Sequence, residues 1–525
     1  MFTGKLLPYQ VDAVEKMCDR KSMLVAYDLG LGKTVITIAA IESLMESQDI
    51  KQPGLIICLS SLKYQWANEI KKFSDSTALV IDGTPKQRNA QYEKALSWHS
   101  TGVDYIIMNY EQVVNDWNIV RKLPTGFIVL DEATAIKSFK SKRAKHVKKL
   151  MSNIRFALTG TPIENGKPEE LYSIMQFVDT GVLGRFDLFD QAFIVRNNWG
   201  GVERYRNLPT LHTKMKEASV RKTQKDEDVA PYLPESIHKD PIQVRFDRNS
   251  AMLYKKIADD IILDLAEATE LFGSSFNLLA HYGYENSANT AADEMRGKIM
   301  SKIGCLRMLC SHPKLIQISA DKFSQMNGEG SAYAAQIVQE GLLDKIKATP
   351  KLDVLIEYVK DFLDQSDKNK VVIFATYVEM GHVISDILGP DICRLYSGQI
   401  DAKTKEINKT VFNTDPSVRV LISSDAGGYG VDLPAANLLI NYDLPWSSGT
   451  AVQRNGRIRR ASSEWPTIVI QDLIMANSIE VRQWESLQQK NAVSDAIMDA
   501  TGIDDKGGIK MTLGSLNQFL LTTSV

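Results

Sequence analysis

The segment Ala26-Tyr-Asp-Leu-Gly-Leu-Gly-Lys-Thr34 carries the residues best suited to holding a phosphate chain. Glycines let backbone N–H groups close around phosphate oxygens, and the N-terminus of a following helix adds the positive end of its dipole. In that setting Lys33 reaches the terminal phosphates and Thr34 can hold a magnesium ion. Gly30 and Gly32 supply the close approach, with Leu31 between them, while Tyr27 stands where the general pattern G-x-x-x-x-G-K-S/T has its first glycine. Further along, Asp131-Glu132 closes the apolar run Phe127-Ile-Val-Leu130. A carboxylate pair at the C-terminal tip of a buried strand lies where open α/β sheets bind ligands. Asp131 there would hold the metal, and Glu132 would orient and deprotonate an attacking water.

A third cluster is Gln453-Arg-Asn-Gly-Arg-Ile-Arg-Arg460. On a helix, Arg457 and Arg460 lie three apart and project from one face. Two guanidinium groups aimed together suit a γ-phosphate whose charge shifts during transfer, although the same segment also reads as a solvated basic face. A fourth is Ser423-Ser-Asp-Ala-Gly-Gly-Tyr-Gly-Val-Asp-Leu433, whose glycines at 427, 428 and 430 permit close backbone approach.

The elements that must position these groups follow from the apolar pattern. Short runs at 22–28, 54–60, 78–82, 104–110, 127–132 and 155–160 alternate with helical stretches, and the texture returns at 370–377, 392–397, 419–425, 437–443 and 467–473. Apolar strands without polar alternation, separated by helices, indicate parallel sheets covered on both faces. Two α/β lobes are therefore expected, each around a doubly wound sheet. The first would span 1–232 with a helical insertion near 183–225, the second 233–500 with one near 248–348, and 501–525 would form a tail. The boundary lies near Val229-Ala-Pro-Tyr-Leu-Pro-Glu235, where prolines punctuate the chain.

Composition sets limits on the setting. A chain of 525 residues exceeds one ordinary core, and 44% hydrophobic with 24% charged residues is typical of soluble globular proteins. A formal charge of −2 excludes a globally basic nucleic-acid coat but permits a local basic cleft. Five cysteines and seven histidines show neither metal-ligand spacing nor a disulfide framework. No uninterrupted apolar run reaches membrane-spanning length, and Met1-Phe-Thr-Gly-Lys5 lacks a secretion signal, so a cytoplasmic protein without membrane contact is expected.

The order and wording of these clusters resemble the Swi/Snf family of ATP-dependent DNA translocases, within helicase superfamily two. The resemblance runs from Leu7 to about Gln471. Leu7-Pro-Tyr-Gln10 is similar to the adenine-reading Gln motif, which implies a base contact for Gln10. Leu55-Ile-Ile-Cys-Leu-Ser-Ser-Leu62, followed by Trp66 and Phe73, resembles motif Ia. Asn109-Tyr-Glu111 resembles motif Ib, and Leu158-Thr-Gly-Thr-Pro-Ile-Glu-Asn165 resembles motif III. Val372-Ile-Phe-Ala-Thr376 is similar to motif IV. The glycine loop ending at Gly430, with Asp432, resembles motif V, and the 453–460 cluster resembles motif VI. Arg221-Lys-Thr-Gln-Lys225 resembles the family's basic stretch at the end of lobe one, and Leu306-Arg-Met-Leu-Cys-Ser-His-Pro-Lys-Leu315 its lobe-two insertion. The chain departs from the family at Tyr27-Asp28, at Thr134 in place of a histidine, at Ser447-Ser448 and at Asp432.

The resemblance implies two RecA-like lobes with ATP and Mg2+ between them. Gln10, Gly30, Leu31, Gly32, Lys33, Thr34, Gly430 and Asp432 would hold the nucleotide, and Thr34 and Asp131 the metal. Gln453, Arg457 and Arg460 would join Lys33, Asp131 and Glu132 in catalysis. It also implies phosphate-directed, sequence-independent binding of double-stranded DNA by a monomer, with DNA-bound proteins as further partners. Ser60, Ser61, Asn109, Tyr110, Thr161 and Trp446 are the implied DNA contacts. The basic run Lys137, Lys140, Lys142, Arg143, Lys145, Lys148 and Lys149 reads equally as a phosphate track or a solvated helix face. A DNA-stimulated ATPase that translocates without separating strands is expected, in a bacterial or phage setting. The alternatives are a strand-separating DNA or RNA helicase and a non-hydrolysing, nucleotide-gated DNA clamp.

Overall fold

The structure is a computed structural model that describes residues 1–196, 202–272, 290–325, 329–425, 431–460, 462–499 and 508–510. The described residues divide into two compact units, one of Met1–Pro234 with Gln489–Lys510 and one of Glu235–Gln488.

In the first unit the apolar runs form β1 (Ser22–Tyr27), β2 (Gly54–Cys58), β3 (Ala78–Val80), β4 (Tyr105–Asn109), β5 (Ile128–Asp131) and β6 (Arg155–Leu158). Two further strands, β7 (Ile194–Arg196) and β8 (Val202–Arg206), make an antiparallel hairpin, and β9 (Ser219–Lys222) follows. The main sheet is parallel throughout, in the order β3-β4-β2-β5-β6-β1-β9. Val25, Ile56, Ile57, Ile107, Val129, Leu130 and Ala157 are fully buried, as a sheet covered on both faces requires. Because all strands point one way, the segments after Tyr27, Cys58, Asn109, Asp131 and Leu158 leave from the same edge. Registers such as Cys58 opposite Asn109 and Asp131 opposite Leu158 fix that alignment.

The expected helical insertion at 183–225 is only partly helical. Helices Phe186–Phe193 and Leu208–Lys216 flank the hairpin, while β9 joins the main sheet beside β1, with Tyr27 opposite Lys222. A four-residue strand with one buried apolar residue leaves no periodic signal, and backbone pairing to β1 decides its state.

The second unit contains β10 (Glu235–His238), β11 (Ile242–Val244), β12 (Val371–Phe374), β13 (Cys393–Tyr396), β14 (Val420–Ser423), β15 (Leu438–Asn441) and β16 (Thr467–Met475). Its order is β10-β16-β15-β12-β14-β13, with β11 also on β16. Helices Arg248–Phe272, Thr290–Ser311, Lys314–Ser324 and Ala332–Gln339 lie between β11 and β12 and share a core around Ile257, Ile261, Ile299, Leu306, Ile316 and Ile337.

The C-terminal region departs from chain order. Residues 489–499 and β17 (Gly508–Lys510) belong to the first unit, where β17 pairs antiparallel with β8 and the Ile497 carbonyl meets His212 Nδ1 at 2.8 Å.

Candidate functional site

Helix α1 (Pro8–Arg20) precedes β1, and helix α2 (Lys33–Glu46) follows the glycine segment. Gly30 and Gly32 both have φ of +82°, the left-handed region that only glycine enters without strain. A Cβ at Gly32 would stand 2.5 Å from Gln10 Nε2. Gln10 therefore packs directly on the loop, donating to the Leu31 carbonyl at 3.2 Å while its Oε1 accepts from the Leu7 amide at 2.9 Å. Lys33 Nζ donates to the carbonyls of Tyr27 at 2.8 Å and Asp28 at 3.2 Å, folding over the loop. Thr34 is half-buried in the first turn of α2.

Tyr27 is not part of the loop's open face. Its ring is buried against Tyr9, centroids 6.2 Å apart, and its hydroxyl donates to the Tyr9 carbonyl at 2.9 Å. Burial pushes its pKa well up, so it stays a neutral donor. The residue in place of the pattern's first glycine thus pins α1, and with it Gln10, to the sheet.

Asp131 ends β5 with 9% exposure. Its Oδ2 accepts from the indole nitrogen of Trp66, on helix α3 (Lys63–Phe73), at 2.8 Å, and its Oδ1 accepts from the Glu132 amide at 3.0 Å. Burial raises the Asp131 pKa, and the Trp66 N–H, the Lys33 charge and the Glu132 amide pull it back. Glu132 has φ of 50° and ψ of 60°, a left-handed conformation that costs a non-glycine residue about 1 kcal/mol. That turn takes its side chain off the line of β5. Such strain concentrates at functional positions.

The Tyr110 side chain is only 1% exposed, and its hydroxyl donates to the Asp131 carbonyl at 2.9 Å. The buried Tyr110 ring is turned away from the DNA contact expected of it, and its hydroxyl braces the backbone at the tip of β5. Asn109 is half-buried and caps helix Tyr110–Asn115, its Oδ1 accepting from Gln112 N at 2.8 Å. Ser60 and Ser61 are exposed on a short turn, whereas Thr161 is buried with its amide on Thr159 Oγ1 at 3.1 Å. Within the basic run, Lys137 pairs with Glu164 and Arg143 with Glu111. Lys148 reaches Ser173 Oγ at 2.8 Å and Gln176 Oε1 at 2.9 Å, and burial lowers its pKa to about 8. These three are committed to local partners, which favours the structural reading of that run.

In the second unit the arginine cluster differs from expectation. Helix Ser448–Asn455 stops before both arginines, so Arg457 and Arg460 do not share a helix face. Gly456 caps the helix, and the Arg457 amide bonds the Arg454 carbonyl three residues back, tightening the chain into a turn. The Arg457 carbonyl accepts from Leu433 N at 3.0 Å. Ser447 caps the start of the same helix, accepting from Thr450 N at 3.0 Å. Gln453, Arg457 and Arg460 are buried, and Arg460 Nη2 pairs with Asp432 Oδ1 at 2.6 Å. Asp432, expected at the nucleotide, is in this structure the arginine's counter-ion. Gly430 and the other loop glycines at 427 and 428 lie outside the described residues.

Sequence reasoning passed over several residues that the fold makes central. Arg454 is 2% exposed and forks onto both carboxylate oxygens of Asp425, at 2.6 and 2.8 Å. Arg307 stands 4.4 Å from the ring of Trp446 and donates to the Leu444 carbonyl at 3.1 Å, holding an aromatic that is 51% exposed. Trp66 was visible only as part of a motif, because an apolar helix position does not announce a hydrogen bond to a carboxylate.

Among the described residues, no helix is long and apolar enough to cross a membrane. A family model described as the SNF2-related domain matches residues 9–315, and one described as the helicase conserved C-terminal domain matches residues 350–462. The sequence is 25% identical over 502 residues to human SWI/SNF-related matrix-associated actin-dependent regulator of chromatin subfamily A member 1, covering 95% of this chain and 44% of that protein. It is 24% identical over 510 residues to mouse DNA repair and recombination protein RAD54B, covering 91% of this chain and 54% of that protein. The chain thus spans about half the length of the relatives it matches. Among solved structures, the Hef helicase domain of Pyrococcus furiosus aligns at TM-score 0.50 and 17% identity, covering 91% of this chain and 98% of that one, a likeness of fold. With its family match covering more than half of the sequence, this chain belongs to the SNF2-related family.

Proposed function

We propose that the chain is a DNA-stimulated ATPase that translocates on double-stranded DNA and remodels DNA structures or protein–DNA complexes without separating strands. The observation that carries this reading is the phosphate loop with Lys33 on the same sheet edge as a buried Asp131 held by Trp66. Names of relatives that describe DNA repair and chromatin regulation support the choice of substrate.

The residues fit a magnesium-nucleotide. Gly30 and Gly32, both at φ of +82°, give the loop the turns a phosphate cradle needs, and Asp131 presents a carboxylate already oriented by two N–H donors. Thr34 and Asp131 would hold the magnesium, which supplies neutralising charge to the phosphate oxygens when bound. Lys33 would exchange its two carbonyl partners for phosphate oxygens, and Gln10 would read the base. Glu132 would orient and deprotonate water, while Arg457 and Arg460 would steady the charge of the transferred phosphate. Asp432 would then release Arg460 or share it. DNA would be held through phosphates near Ser60 and Ser61 and through the exposed face of Trp446.

The test is phosphate release with and without duplex DNA, beside a strand-displacement assay. Stimulation by duplex without displacement supports the reading. Displacement would favour a strand-separating helicase, and absence of hydrolysis in both conditions would favour a nucleotide-gated clamp.

A further inference from the structure

Four consecutive carbonyls at the start of the phosphate loop are each claimed by a side chain. Ala26 O accepts from Arg221 Nη1 at 2.8 Å, Tyr27 O and Asp28 O accept from Lys33, and Leu29 O accepts from Gln224 Nε2 at 2.8 Å. The Asp28 side chain is taken on both oxygens, by Arg221 Nη1 at 2.6 Å and by the Gln224 amide at 3.0 Å. Its amide donates to the Lys222 carbonyl at 2.9 Å. The stretch that gives Lys33 its resting place is therefore tied to 221–224 along its whole length.

Arg221 has a second anchor, 278 residues further along the chain. Its Nε and Nη2 donate to the two carboxylate oxygens of Asp499 at 3.0 and 3.3 Å. All of these residues lie in the first unit, because Gln489–Lys510 belongs to it. Arg221, Asp28 and Asp499 have side chains 20%, 21% and 22% exposed, so the cluster is largely withdrawn from water. A planar fork held on one edge by a bidentate carboxylate has its other edge aimed, which a lysine cannot reproduce.

We propose that Arg221 is a positioning residue for the phosphate loop, and that Asp499 in the C-terminal segment aims it, so that this segment sets nucleotide affinity. Releasing Asp499 leaves the guanidinium free to turn away from Ala26 and Asp28. The Tyr27 and Asp28 carbonyls then lose their fixed places, and Lys33 with them. The basic stretch at 221–225 acts inward on the loop at Arg221 and Gln224.

The inference rests on the nucleotide-binding reading, and the experiment separates the two. Affinity for a fluorescent ATP analogue is measured on the full chain for the parent, Asp499→Asn, Asp28→Asn, their double variant and Arg221→Lys, with melting temperatures beside each. Asp499→Asn is expected to weaken binding about 3- to 10-fold while the melting temperature stays within about 2 °C. The double variant is expected to lose less than the product of the single losses, since both act through Arg221. Arg221→Lys should lose at least as much as Asp499→Asn. Unchanged affinity in Asp499→Asn overturns the inference, as does an additive double variant. Loss of affinity that tracks a fall in melting temperature, or failure of Asp499→Asn to fold, overturns it too, since the pair would then brace the fold rather than the loop. A parent chain that binds no nucleotide overturns the functional reading itself.

Discussion

The indole nitrogen of Trp66 donates to Oδ2 of Asp131 at 2.8 Å, and the two residues are 1% and 9% exposed. A buried carboxylate without such a donor would be driven toward its neutral form, because burial is the largest influence raising its pKa. The Trp66 N–H opposes that drive and fixes the direction in which Oδ2 points. Trp66→Phe keeps most of the buried ring and removes the donor. It is expected to cost about 2 kcal/mol in urea denaturation, the range for a hydrogen bond to a charged group. Magnesium-dependent nucleotide affinity should fall with it, and an unchanged affinity would assign Trp66 to packing alone.

Glu132 is the only proposed catalytic group held at positive φ, so its backbone geometry and its carboxylate chemistry can be separated. Glu132→Gln preserves side-chain shape and is expected to lower turnover by about 100- to 10,000-fold, the range for removing a general base. Nucleotide affinity should stay near that of the parent. Lys33→Ala, by contrast, is expected to weaken both binding and turnover. Equilibrium binding beside phosphate release distinguishes the two, and a Glu132→Gln variant with parent turnover would remove Glu132 from the chemistry.

Tyr27 tests whether the missing glycine of the loop pattern is a defect or a substitution of one role by another. Tyr27→Phe loses only the bond to the Tyr9 carbonyl and should cost about 1 kcal/mol. Tyr27→Gly restores the general pattern yet empties a buried ring site, and should cost about 3–5 kcal/mol by thermal or urea unfolding. Tighter nucleotide binding in Tyr27→Gly would contradict the assignment of Tyr27 to the core.

Lys148 gives a pH signature. Its pKa is lowered to about 8 by burial, below the ordinary lysine value that the unfolded chain retains. Between those values the unfolded state binds more protons, so this group's contribution makes stability rise with pH above about 8. The penalty for burying the charge is present in full below that pH. Lys148→Met should therefore stabilise the protein at neutral pH and flatten the rise between pH 7.5 and about 9.5, followed by urea denaturation. An unchanged slope would show that the ammonium is well solvated.

The parallel strands were legible because each is a continuous apolar run, and a lobe built from them places its loops on one edge. The placement of Asp131 at the end of a strand, and of Lys33 at the start of the helix after β1, was legible for that reason. What the sequence hid depends on partners distant in the chain. Arg221 reads as one cation in a basic stretch, and nothing local marks its ties to Asp28 and Asp499. Trp66 and Tyr110 look like core or surface aromatics until the fold brings their polar ends to Asp131. The helix ends at Asn455, short of Arg457 and Arg460, and the side-chain spacing of the arginines carries no mark of that end. The edge strand at Ser219–Lys222 is set by its neighbour, not by its own residues.

The central claim is that duplex DNA drives ATP hydrolysis at the loop containing Lys33 and the pair Asp131 and Glu132. Steady-state phosphate release by the parent and by Glu132→Gln, with duplex DNA, single-stranded RNA or no nucleic acid, tests it most directly. The account expects strong stimulation of the parent by duplex, little by RNA, a steep fall with salt, and no stimulated release from Glu132→Gln. Release that is equal with and without duplex, or stimulated only by RNA, would contradict it.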